Sequence, residues 1–230
     1  MLVNVIERVL FPNTFGMELI YSFVIIFCSL LIYFSTKKMY EVSKYEGIKY
    51  FRISFIFFAI AYFFKSFISF SLVFFGFHEA LEFLSVLLGV VTLFLFMYAS
   101  TMAIFYLLYS VVWKHVENKK FIIPLAHVLV LVISAASILY MSAWALIVIQ
   151  VGLFGFIAVS NYLSYNKLNR KKKSGSIHVI YFFLFIFWML NLSDILVSGF
   201  DPIFEILVSF VSIGIFLTIL YKVTKNVGLN

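Results

Sequence analysis

Charged side chains inside apolar runs carry most of the chemistry this chain could offer. Lys65 stands in the run 51–75 and Asp194 in the run 177–199, each surrounded by phenylalanine, leucine and isoleucine. A charge near a bilayer centre costs about 2.5 to 3.5 kcal/mol on insertion scales, so it faces a bundle interior and has a partner. The expected pair is Lys65 with Asp194, with Glu82 or Glu205 as a second acid. Tyr62 lies one turn before Lys65, Asn191 one turn before Asp194, and Trp188 a further turn back, so helical spacing aligns them on the same faces. Together they outline an outward-facing polar chamber for a small ligand or ion. A buried pair that only fixes helix packing is the bland alternative.

Other chemistries find less support. A Schiff-base lysine for a retinal-like chromophore sits on the seventh helix of opsins, whereas the last apolar run here has no lysine before Lys222. Three histidines, His115, His127 and His178, fall toward one side, but without a His-x3-His spacing or an adjacent catalytic carboxylate. Cys28 is the single cysteine, which leaves no disulfide within one chain. No Gly-rich phosphate loop or Gly-x-Ser-x-Gly elbow occurs. Neither a catalytic residue, a metal site nor a cofactor is expected, and the chain does not read as an enzyme.

The elements that must position Lys65 are membrane helices. With 64% hydrophobic and only 12% charged residues and a mean hydropathy of +1.11, the composition excludes a soluble globular domain. Seven runs supply the roughly 20 apolar residues a spanning helix needs, and they lack the alternation of an outer-membrane barrel. The fold class expected is all-α, a polytopic seven-transmembrane-helix bundle. Its helices are placed at 17–35, 51–75, 79–113, 121–140, 143–165, 177–199 and 202–221, within a single domain spanning 17–225. Residues 1–16 set Leu2, Val5, Ile6 and Val9 on one face and read as an amphipathic segment lying in the interface. The third run continues without a breaker for about 50 Å at 1.5 Å per residue. Splitting it would leave two pieces too short to span.

Charge sets the orientation. Of the 17 basic residues, all but Arg8 and Lys65 fall in the connections 1–2, 3–4 and 5–6, at their edge in the case of Arg52, or after the last run. The positive-inside rule then places the N-terminus outside and the C-terminus in the cytoplasm. The net charge of +7 is thereby accounted for by membrane orientation, and a nucleic-acid partner is not expected. Lys171, Lys172 and Lys173 would touch anionic headgroups on the cytoplasmic side. Localisation is the cell membrane, as a multi-pass protein.

Small and polar residues mark the faces where membrane helices meet. Glu18, Ser22 and Ser29 form such a stripe in the first helix, and Gln150 and Asn161 in the fifth. Helices 1–3 and 5–7 look duplicated: similar basic linkers follow the first member, Lys65 and Asp194 stand alike in the second, and Leu81–Ser85 resembles Phe204–Ser209 at the third. The result would be a 3+1+3 parallel repeat, a plan transporters use. The topology is similar to that of sugar-efflux and PQ-loop proteins, yet no Pro-Gln dipeptide occurs and helices 1, 2, 5 and 6 hold no proline, so no family is assigned. A receptor or sensor coupled to a cytoplasmic partner is the leading function. A small-solute or ion transporter is the alternative, and a membrane scaffold without a ligand the third.

Overall fold

The computed structural model of the chain describes residues 15–75, 82–115, 119–140, 144–168, 175–196 and 202–226, and most of the side chains within them. The expected interfacial segment lies outside the described residues, apart from its last two positions. So do the side chains of Glu82, Asp194 and Glu205.

Among the described residues the chain is all-helical, with seven α-helices and no strand. They are α1 (Phe15–Ser43), α2 (Glu46–Phe75), α3 (Glu82–Val112), α4 (Lys119–Leu139), α5 (Trp144–Leu168), α6 (Gly175–Leu196) and α7 (Pro202–Asn226). A 3-10 turn, Trp113–His115, extends α3. Five of the helices are long and apolar enough to cross a membrane, through segments 16–43, Glu46–Ile68, Leu87–Val112, Phe121–Leu139 and Ile206–Lys225. In α5 and α6 the described apolar stretches are the shorter Ile147–Ile157 and Val179–Asn191. Helices are the outcome because hydrocarbon offers no partner to a bare N–H or C=O, and a helix satisfies both within one segment. Large apolar side chains point away from the bundle on several helices, among them Phe23, Phe27, Phe63, Val128, Phe156 and Phe210, each more than half exposed. So much outward apolar surface marks a membrane-embedded protein.

The unbroken α3 agrees with the run read from the sequence, with 31 residues before the 3-10 turn. Other boundaries differ, among them the end of α7, which runs on to Asn226 past the expected 221. The stretch expected as a polar linker between the first two helices is helical except at Lys44 and Tyr45. Lysine, methionine and glutamate are good helix formers with or without an apolar face, and Lys37 pairs with Glu41 one turn on at 3.8 Å. The turn closes at Lys44, whose φ of 51° is left-handed and whose N–H reaches the Tyr40 carbonyl at 2.8 Å, an αL cap. In α4 the helix begins at Lys119, two residues earlier than expected, which puts Pro124 beyond the first four N–H positions, where its missing N–H removes one bond from the ladder.

Six helices make a closed ring. Around it, α1 packs on α2, α2 on α3, α3 on α5, α5 on α6, α6 on α7 and α7 back on α1. The remaining helix, α4, lies against α3 and α5 from outside. The ring is filled by aromatic side chains: Phe55, Phe154, Phe187 and Phe216 are fully covered. Phe187 meets Phe216 edge-on at 4.8 Å between centroids, and Phe58 meets Phe187 at 6.4 Å. Close approach also decides one glycine. A Cβ on Gly47 would stand 2.8 Å from Trp113 Nε1 and 2.9 Å from the Ser110 carbonyl, so the start of α2 lies directly on the end of α3.

Candidate functional site

The short turn at Lys44 sets the register of the α1–α2 hairpin, and that register builds the site. Moving away from the turn, Arg52 meets Tyr33, Tyr62 meets Tyr21 and Lys65 meets Glu18. Lys65 Nζ lies 3.8 Å from Glu18 Oε1, with the two side chains only 20% and 14% exposed. The same ammonium stands 5.7 Å from the centroid of the Tyr21 ring, a cation–π distance. Lysine's long stem carries its charge toward the end of the bundle at which Glu18 lies, the end away from the lysine-rich turns.

Beneath the ion pair three oxygen atoms converge. Tyr21 Oη and Tyr62 Oη are 3.0 Å apart, and both hydroxyls donate to Asn191 Oδ1, at 2.8 and 2.7 Å. Asn191 Nδ2 donates to the Phe187 carbonyl one turn back at 2.8 Å, which fixes the amide with its oxygen toward the tyrosines. Two hydroxyl protons thus serve three oxygen–oxygen contacts. One contact always lacks a proton, so the cluster is rich in acceptor oxygens.

Of the residues singled out in the sequence, Lys65, Tyr62 and Asn191 come together here. The side chains of Asp194, Glu82 and Glu205 lie outside the described residues, so the expected Lys65–Asp194 pairing has no described geometry. Trp188 is turned to a neighbouring hub. Its indole N–H donates to Gln150 Oε1 at 3.2 Å, while Gln150 Nε2 donates to Thr101 at 2.9 Å and points to Ser100 at 3.4 Å. That hub ties α3, α5 and α6 one turn along α6 from Asn191.

Sequence reasoning passed over Glu18 as a partner and Tyr21 entirely. The signal for Glu18 was its stripe with Ser22 and Ser29, whose serines are both fully buried. A second unforeseen cluster holds His127, whose Nδ1 and Nε2 are taken by the hydroxyls of Tyr98 at 2.5 Å and Tyr106 at 3.0 Å. Among the described residues no group of three or more His, Cys, Asp or Glu side chains is placed to hold a metal.

Toward the lysine-rich end aromatic side chains occupy the interior. Phe51 stands edge-on to Phe55 at 4.9 Å and to Tyr181 at 6.0 Å, and the Tyr181 hydroxyl reaches Ser110 at 2.7 Å.

No protein-family model matches the chain, and no solved structure matches it. The chain is similar to a protein of Archaeoglobus fulgidus described as uncharacterized, with 29% identity over 212 residues that cover 91% of this chain and 92% of that protein.

Proposed function

We infer that the protein is a seven-span membrane receptor or sensor, N-terminus outside, that binds a small polar ligand beside Lys65 and signals to a partner at its basic, cytoplasmic end. One observation carries this reading: a largely buried Lys65–Glu18 pair stands directly over the acceptor-rich Tyr21, Tyr62 and Asn191 cluster. A charged group and several acceptor oxygens within one small volume suit a ligand that offers both an anionic group and an N–H or O–H donor. Glu82 and Glu205 stand in the first turns of α3 and α7 and Asp194 in the last turn of α6, and they would complete the chamber. The aromatic side chains below favour binding over passage, and the exposed Lys37, Lys38, Lys114 and Lys225 suit an acidic cytoplasmic partner or headgroups.

Thiol accessibility tests this geometry. With the buried Cys28 replaced by Ala, a Lys65→Cys variant should react with a membrane-impermeant thiol reagent added on the face away from the basic end. Silence from both faces would leave a packed ion pair, and reaction from the basic face would reverse the orientation.

A transporter remains the second reading because one observation favours the 3+1+3 repeat. Tyr62 and Asn191, bonded at 2.7 Å, are 129 residues apart, the same separation as the matched Lys65 and Asp194 and as Phe58 and Phe187, whose rings also meet. Equivalent positions of two halves touch each other where a pseudo-two-fold axis would pass between them. The cyclic order of α1–α3 followed by α5–α7, with α4 outside, suits such halves. Solute flux into vesicles reconstituted with the intact protein, abolished by Lys65→Met, would favour transport over sensing.

A further inference from the structure

Arg52 is the one charged side chain among the described residues that is buried, at 9% exposure. Reading the sequence as loops and runs places it at the water-facing edge, whereas it lies about 9 Å along α2 from Glu46, at 1.5 Å per residue. Its Nε donates to the Tyr33 carbonyl at 3.1 Å, a carbonyl that also accepts the Thr36 hydroxyl at 3.2 Å. The guanidinium stacks 4.5 Å above the Tyr33 ring and stands 6.0 Å from the Tyr40 ring.

None of these groups is an anion. Glu46 is engaged by Lys49 at 3.4 Å and by the Tyr40 hydroxyl at 3.3 Å, and Glu41 by Lys37. Among the described residues no carboxylate lies within 4.0 Å of Arg52. A guanidinium has five N–H donors in a planar fork, and among the described residues one of them is used. Aromatic faces offset part of the charge but accept no strong hydrogen bond. A covered cation with four spare donors calls for an anion with two oxygens in one plane, the geometry of a carboxylate or phosphate.

The surroundings decide which anion. Tyr33 touches Phe34 edge-on at 5.3 Å, and Phe34 opens an outward apolar face of α1 that continues through Leu31, Leu30 and Phe27. The seat has the geometry of a phosphate-binding fork at the basic end of two spanning helices, beside an apolar strip that runs on through Phe23 to Ile20, about 20 Å along α1 and the length of an acyl chain. A free phosphate would use the fork only, whereas a phospholipid uses both.

We propose that Arg52 and the Tyr33–Phe34 face of α1 form a binding site for an anionic phospholipid, with the phosphate diester on the guanidinium and an acyl chain along Phe34, Leu31 and Phe27. This site is independent of the one beside Lys65. Lysine would supply a point charge in place of the fork.

Native mass spectrometry of the full chain, released from detergent with added lipid, tests the proposal. Phosphatidylglycerol should give adducts about fivefold or more above phosphatidylcholine, and Arg52→Gln should remove most of that preference. Arg52→Lys, which keeps the charge and guards against misfolding of the glutamine variant, should lose about threefold or more. Inorganic phosphate at equal concentration should neither form the adduct nor displace the lipid. The proposal is overturned if Arg52→Lys retains the full phosphatidylglycerol preference, if a folded Arg52→Gln does so, or if inorganic phosphate competes as effectively as the lipid.

Discussion

At the scale of single residues, the oxygen cluster makes the sharpest predictions. Asn191→Ala removes the acceptor that two buried tyrosine hydroxyls share, a loss of about 1 to 3 kcal/mol. Tyr62→Phe removes one hydroxyl from a cluster already short of a proton and should cost less, under about 1 kcal/mol. Thermal midpoints of the two variants in one detergent check the order, and equal losses would contradict it. For the ion pair, a double-mutant cycle of Lys65→Met and Glu18→Gln should return a coupling of about 1 kcal/mol, held down by the residual exposure of both side chains. The roles of Lys65, Tyr62 and Asn191 were legible from helical spacing, because residues three apart must share a face. Glu18 was not, since its meeting with Lys65 depends on where the α1–α2 turn falls. That turn lies in a stretch with no apolar period to mark it, and its cap is a lysine in the left-handed region instead of the usual glycine.

The elements repeat the lesson at larger size. Helix existence followed from apolar length, and the long unbroken α3 followed from the absence of any breaker. Helix ends at the basic side did not, because helicity continues past the membrane edge wherever good helix formers and an i,i+4 pair sustain it. Two glycines separate packing from propensity. Gly47→Ala drives a Cβ into Trp113 and the Ser110 backbone and should destabilise by about 1 to 3 kcal/mol. Gly89→Ala meets open space within α3 and should be neutral or gain up to about 1 kcal/mol. A denaturation series of the two variants tests both, and a tolerated Gly47→Ala would mean that α2 and α3 are not in backbone contact.

For the whole molecule, the ring order of the helices was beyond reach of the sequence. In lipid no hydrophobic force distinguishes an inner from an outer helix face, so nothing in α4 announces that it lies outside the ring. At the centre of the ring Tyr62 meets Asn191 and Phe58 meets Phe187. A ligand there would touch α1, α2 and α6 together and could shift their packing, provided it binds one arrangement better than another. The central claim is that the Lys65 cluster receives a ligand, and ligand-induced stabilisation tests it most directly. Purified protein is screened against amino acids, organic acids, sugars and nucleosides, beside the Lys65→Met variant. At about 100 times its Kd a ligand adds about 2.7 kcal/mol, which raises the midpoint of a chain this size by roughly 5 to 10 °C. The account predicts such a rise for at least one solute class with the intact protein and none with Lys65→Met. A panel that moves neither protein, or moves both alike, would contradict it.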